Sequence, residues 1–285
     1  MMFDFRYLFL NKKQTSMEDI KVFMEDQDTK RIHFATSHSR ALKPGTGKYH
    51  GFLNVPFNHT IGPTLSQKFE GGMSQYIFTN NGGHGYYRGF RSNEDYESCK
   101  SFVEEYNQIV FLRDTLDLSL ALSMNIQDEE SRTQIGELEY QAKFKDNEGA
   151  ENCLVELVQE WLKKLPFYNT ADAICAMPCS KPERAGLPRR IVDRIEGYEN
   201  ISSALKWKKK DKSIKELGTV EEKLAALQEF ELEITSDLKG KNVILLDDLY
   251  MSGISMQFVA MKLKEAGVDR VFGISIVKSR SNTAL

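Results

Sequence analysis

The chain has 285 residues, of which 41% are hydrophobic, 11% aromatic and 28% charged, with a formal net charge of -3. That length suits one large domain or a compact domain with an addition, and the aromatic content excludes a wholly disordered chain, which could not bury enough apolar surface to offset the entropy of ordering. The negative balance argues against a globally basic nucleic-acid binder and leaves only local basic patches for such contact.

Four cysteines, Cys99, Cys153, Cys175 and Cys179, show no CxxC spacing. This disfavours a disulfide framework or a zinc ribbon and fits a reducing compartment. No apolar run approaches the roughly 18 residues of a membrane span. Asp4 and Arg6 interrupt the first ten residues, and Lys12 and Lys13 follow the apolar part, the reverse of signal-peptide order. The expectation is a cytoplasmic protein with no membrane contact.

Residues 1–135 read as an α+β region. Short extended stretches, Tyr7 to Leu10, Ile32 to Thr36 and Gln75 to Thr79, alternate with turn residues, and Asn80 to Gly85 reads as a tight turn. A helix is expected from about Asp95 through Val110 and on toward Ser123. All five histidines, His33, His38, His50, His59 and His84, lie in this region at spacings that match no standard zinc pattern. Tyr86 to Phe90 reads as strand core, with an acceptor-pocket lining as the alternative.

Residues 136–285 read as α/β. Ala150, Cys153, Leu154, Leu157, Val158, Trp161, Leu162 and Leu165 fall on one helical face, ended by Pro166. Ala171 to Met177 suits a buried strand. Arg189 to Ile195 suggests a helix, and Val220, Leu224 and Leu227 mark another. Asn242 to Leu246 then predicts a strand, Met256 to Ala266 a helix capped at Gly267, and Val268 to Val277 a strand. Strand, helix, strand is a βαβ unit, hence a parallel sheet.

The segment Val243 to Ser255 carries the chemistry. An apolar strand ends in Asp247 and Asp248, a short loop follows, and a helix begins. Ligands of open α/β sheets bind at the carboxyl ends of strands, and helix N-termini attract anions. Gly253 allows close backbone approach, and Ser252 and Ser255 add hydroxyl donors. Two acids beside an anion cradle make sense if they hold neutral hydroxyls or a hard cation such as Mg²⁺.

This segment resembles the phosphoribosyl-diphosphate (PRPP) motif of type I phosphoribosyltransferases. The resemblance implies that Asp247 and Asp248 grip the ribose hydroxyls and the associated Mg²⁺, and that Met251, Ser252, Gly253, Ile254 and Ser255 cradle the 5-phosphate. It extends over about residues 136–280 and is nearest to the ComF-like branch. Tyr140 to Lys145 stands where that branch has a basic-aromatic stretch, and Leu217 and Phe230 keep its spacing before the PRPP motif. The loop Cys179, Ser180 and Lys181 matches the family's pyrophosphate loop in position. The family's zinc-ribbon cysteines are absent, its Arg-Gly-Phe-Asn-Gln element is not recognisable in Arg184 to Ile191, and Met251 stands where oxopurine enzymes carry an acid/base Asp.

The resemblance implies a parallel-sheet type I phosphoribosyltransferase fold at the C-terminal half, with the α+β region as an N-terminal addition. It implies a Mg²⁺-dependent transferase acting on PRPP and a nucleobase or nucleotide; a homodimer is a separate expectation. The alternatives are a non-catalytic PRPP or nucleotide sensor, a ComF-like accessory to DNA uptake, and a toxin similar to the phosphoribosyltransferase toxin ShosT of anti-phage systems, which pairs with an antitoxin protein. Lys206 to Lys212 reads as a solvated loop, as the segment closing over PRPP, or as a nucleic-acid contact with Trp207 stacking a base. Lys143 and Lys145 read as surface residues, with phosphate ligation as the alternative.

Overall fold

The computed structural model describes residues 15–25, 32–38, 41–69, 73–77, 84–179, 185–209, 213–214 and 216–280. In chain order the elements are α1 (Met17–Glu25), β1 (His33–Ala35), β2 (Leu42–Pro44), β3 (Gly51–Val55), α2 (Gly62–Lys68), β4 (Ser74–Ile77), β5 (His84–Phe90), α3 (Asn93–Glu105), β6 (Val110–Leu112) and β7 (Leu118–Met124). They continue with α4 (Gln134–Phe144), α5 (Glu148–Lys164), β8 (Ala173–Ala176), α6 (Leu187–Val192), β9 (Glu199–Asn200), β10 (Leu205–Trp207), α7 (Val220–Glu229), β11 (Leu232–Ile234), β12 (Asn242–Tyr250), α8 (Ile254–Glu265) and β13 (Arg270–Lys278).

The helices start and stop where local chemistry directs. Asn147 caps α5 by accepting from the Ala150 N–H at 3.0 Å, with Glu148 and Glu151 in the first turn and Lys163 and Lys164 in the last. Its Ala150, Leu154, Val158 and Leu162 are buried, as the periodicity predicts; Val155 is buried as well, and Cys153, expected on the same face, is exposed. Thr219 and Glu222 close a reciprocal capping box on α7. At the end of α8, Gly267 takes φ +94°, and the N–H groups of Gly267 and Val268 donate to the carbonyls of Lys264 and Leu263. That is a Schellman stop, which a left-handed glycine permits at little cost.

Seven strands form the central sheet in the order β1-β6-β7-β13-β12-β8-β9. β7, β13, β12, β8 and β9 run parallel, while β1 and β6 pair antiparallel. The molecule is therefore a mixed α/β protein with a mostly parallel central sheet. β2, β3, β5 and β4 form a separate antiparallel sheet, and β10 pairs with β11. One core lies between the central sheet and α4, α5 and α6, while α8 covers the opposite face. On its outer side α8 packs against α1 and α7. Among the described residues no helix is long and apolar enough to cross a membrane.

One expectation needs correction. The helix expected from Asp95 toward Ser123 ends at Glu105, and strands β6 and β7 replace its second half. Six of the seven residues of β7 are buried, so it carries no alternation to distinguish strand from helix, and pairing with β13 decides its form. β1, β6 and β7, which precede the expected division at 135/136, extend the central sheet from the β13 side. The stretch Ile32 to Thr36 contains β1, Gln75 to Thr79 overlaps β4, and Tyr86 to Phe90 lies in β5. Tyr7 to Leu10 and Asn80 to Gly83 lie outside the described residues.

Candidate active site

β8 and β12 are parallel neighbours whose following helices lie on opposite faces of the sheet. Leu187, Ile191 and Val192 of α6 enter one core, and Met256, Val259 and Leu263 of α8 enter the other. This is a topological switch point, where the carboxyl ends of two strands diverge and leave a crevice. The β8–β12 ladder ends at Ala176↔Leu246, and β12 continues beside β13 to Tyr250. Asp247 and Asp248 come directly after that parting.

The side-chain alternation of β12 breaks at the acid pair. Ile244 and Leu246 face the α5 core and Val243 and Leu245 the α8 core, yet Leu249 then packs on the first and Tyr250 on the second. Asp248 donates its backbone N–H to Asp247 Oδ1 at 2.9 Å, which fixes the Asp247 carboxylate against the chain at this break.

Helix α4 supplies a cation to the acid pair. A Cβ on Gly136, near its start, would stand 2.0 Å from the carbonyl oxygen of Asn125, just beyond β7. At its far end Lys143 Nζ reaches Asp248 Oδ2 at 2.9 Å. The helix thus crosses the carboxyl ends of the sheet from β7 to β12. Lys143 is also 3.4 Å from buried Glu139, close enough for attraction but not aligned as a hydrogen bond. Burial opposes the charge on Lys143, but Asp248, Glu139 and Asp247 outweigh it and hold the ammonium above the usual lysine range. Burial pushes the Glu139 carboxyl up, and Lys143 offsets part of that rise.

Arg190 of α6 fixes the end of α4. Its Nε donates to Glu151 Oε2 at 2.7 Å, and its terminal nitrogens donate to the carbonyls of Ala185 at 3.0 Å and Ala142 at 3.1 Å. One guanidinium therefore joins α4, α5 and the chain entering α6.

On the other side of the acids, Met251 to Gly253 lead into α8. Gly253 stands at the N-cap with φ +80°, and no side chain caps the helix, so its first N–H groups are available to an anion. A Cβ on Gly253 would lie 2.0 Å from Tyr250 Oη. That hydroxyl donates to buried Asp114 Oδ2 at 3.1 Å, and Asp114 Oδ1 accepts from the Leu116 N–H at 3.1 Å. Ser252, Met251 and Ser255 are partly exposed, whereas the Ile254 side chain is buried, leaving only its backbone for a ligand.

Among the solved structures similar to this chain are hypoxanthine phosphoribosyltransferases. One from Staphylococcus aureus, in an orthorhombic crystal, is 13% identical over 48% of this chain and 67% of its own, with a TM-score of 0.32. The tetragonal form of the same enzyme gives 13% identity over 46% and 64%, also at 0.32. A glutamic acid mutant made to study an invariant aspartic acid in HPRTs is 8% identical over 53% and 72%, at 0.28. No protein-family model and no curated protein matches the chain. The functional reading stands on the crevice itself.

The crevice unites Asp247, Asp248 and Met251 to Ser255 with Lys143, which the sequence reading gave as a surface residue with phosphate ligation as the alternative and which instead meets a carboxylate, Asp248. Cys179 is exposed beyond the end of β8, while Ser180 and Lys181 lie outside the described residues. Trp207 corrects another expectation. Its Nε1–H donates to the carbonyl of Pro178 at 2.9 Å, and its ring stacks 6.1 Å from Phe258 of α8, so it is a packing residue and no open platform for a base. Lys208 and Lys209 pair with Glu233 and Glu231, which offsets part of the basic run. His59 Nε2 bonds the Leu116 carbonyl at 2.9 Å, and the rings of His33 and His38 meet at 6.1 Å. Among the described residues no group of three or more His, Cys, Asp or Glu is placed to hold a metal by itself. Glu139, Arg190 and Asp114 were missed. Only Glu139 and Lys143 left a signal, their four-residue spacing on one helix.

Proposed function

We propose that this chain is a Mg²⁺-dependent phosphoribosyltransferase that binds PRPP and transfers the phosphoribosyl group to or from a nucleobase. The observation that carries the reading is the switch-point crevice, with Asp247 and Asp248 on one side and the uncapped N-terminus of α8 on the other. In the forward direction, pyrophosphate leaves ribose C1 with the electron pair of the C1–O bond. A ring nitrogen of the base then forms the C1–N bond and gives up its proton to water. Asp247 and Asp248 hold the ribose hydroxyls while positive charge develops at C1, and residues 251–255 hold the 5-phosphate, so catalysis is chiefly positioning and charge stabilisation. Cys179, Ser180 and Lys181 receive the pyrophosphate in this reading.

The donor chemistry fits Mg²⁺. Two hard carboxylates, one shared with Lys143, are too few for a protein cage but suit an ion that keeps waters and takes substrate oxygens. Asp247 and Asp248 would hold it, and it would supply charge neutralisation for the diphosphate.

The test is a thermal melt with and without PRPP and Mg²⁺, followed by mass spectrometry of reactions containing a panel of bases and nucleotides. Ligand at 100 times its dissociation constant adds about 2.7 kcal/mol of stability. Changing both Asp247 and Asp248 to Asn should cut turnover by at least about tenfold, or about 1.4 kcal/mol of transition-state stabilisation. An unchanged melt and no product would sink the reading. Tight PRPP binding without turnover would convert it to a sensor.

A further inference from the structure

Tyr140 and Phe144 stand four residues apart on α4, with ring centroids 5.4 Å apart. Phe144 is 62% exposed, an unusual position for a large apolar ring. Cations surround the pair. The Arg132 guanidinium lies 4.1 Å over Tyr140, Lys145 Nζ lies 5.8 Å over the same ring, and Lys143 Nζ lies 5.4 Å over Phe144. That same Lys143 nitrogen is 2.9 Å from Asp248. Two short steps therefore link the exposed ring to the carboxylate that grips ribose in the reading above, a separation a single nucleoside can span. Arg190 holds this end of the helix through the Ala142 carbonyl, so the ring is presented from a fixed backbone.

We propose that the Tyr140–Phe144 ladder is the platform on which the nucleobase of a nucleoside 5-phosphate stacks while its ribose occupies the acid pair. This rests on the phosphoribosyltransferase reading and adds the element that receives the base. The occupant follows from the chemistry present. An exposed aromatic ring favours a planar partner, the adjacent carboxylates favour neutral sugar hydroxyls, and the uncapped N-terminus of α8 beyond them favours the 5-phosphate. A nucleotide joins these three groups in one molecule. Stacking tolerates every base because each has a π face, with purines gaining most from their area.

The experiment compares two ligand classes on the full chain by isothermal titration calorimetry. GMP and AMP carry a base; ribose 5-phosphate and PRPP do not. Phe144→Ala should weaken nucleotide binding by on the order of tenfold and leave ribose 5-phosphate and PRPP affinity unchanged. Phe144→Trp should restore nucleotide affinity, and its fluorescence should be quenched by GMP but not by ribose 5-phosphate. Because Phe144 is exposed, both variants should fold, which circular dichroism checks. Wild type that binds PRPP and nucleotides, with Phe144→Ala binding both equally well, overturns the platform and spares the enzyme reading. Wild type that binds neither ligand class overturns both. Loss of single-stranded oligonucleotide binding in Phe144→Ala, with mononucleotides unbound by wild type, overturns the proposal in favour of a nucleic-acid surface.

Discussion

Gly253 shows how one residue can satisfy two demands. Its left-handed φ starts α8, and its missing Cβ leaves room for Tyr250 Oη, which is fixed on Asp114. A β-branched replacement would therefore strain the backbone and displace a buried tyrosine before any ligand arrives. Loss of PRPP binding in such a variant would not by itself identify a phosphate cradle. Lys278 is a cleaner probe of burial. It is fully buried next to the Ser279 carbonyl, and burial pushes its ammonium down from 10.5 to about 8. A lysine with a depressed folded pKa costs stability while protonated. The cost is fully present below about pH 8 and fades as pH rises through 10.5, where the unfolded chain also releases its proton. Lys278→Met should raise the melting temperature at pH 7, by up to about 3 kcal/mol of stability, and the gain should shrink by pH 10. Parallel melts of both proteins across that range check this, and a gain independent of pH would assign it to packing alone.

Among elements, α4 is held by chemistry that its own sequence does not announce. Arg190→Ala removes a partly buried charge and bonds to two carbonyls and Glu151. The expected cost is about 1–3 kcal/mol, with faster hydrogen exchange confined to the last turn of α4 and the start of α6. Arg190→Lys should recover little, because an ammonium lacks the planar fork that reaches three acceptors. Uniform exchange along the chain would show that Arg190 is no local clamp. The unevenness of the sequence reading has the same origin. Helices α5 and α8 and the βαβ unit were legible because periodicity and the Gly267 stop are local. The acid pair was legible because its strand, loop and helix are contiguous. β6 and β7 were not, since an apolar run buried on both faces has no period, and its identity as strand depends on β13, far along the chain. The Lys143–Asp248 pair was not legible, because a four-residue spacing gives a helix face but not the carboxylate that face will meet.

At the scale of the molecule, the N-terminal region is structural to the crevice. β7 pairs with β13 from Phe272↔Leu118 to Lys278↔Met124, so it supports the strand that flanks the acid pair. Phe111, Leu118, Leu120 and Leu122 lie in the same core as Ile244, Leu246 and Ile274. Farther out, Ile20 and Met24 of α1 pack against α8, and buried Gln257 of α8 accepts from the Thr115 N–H at 3.1 Å. The helix whose N-terminus is proposed to hold the 5-phosphate is therefore held from two places upstream of residue 136, α1 and the turn before β7. Burying one large apolar side chain contributes about 1.5–3 kcal/mol, and a whole domain retains only about 5–15 kcal/mol of net stability. Losing four such residues from one core, and exposing the β13 edge as well, consumes that margin. A fragment of residues 136–285 should consequently aggregate or lack a cooperative melt, although it contains every residue proposed to touch PRPP. The full chain should unfold with those residues in one transition. Thermal circular dichroism and PRPP titration of both proteins make the comparison, and a soluble fragment with its own cooperative melt and full PRPP affinity would place a domain boundary at 135.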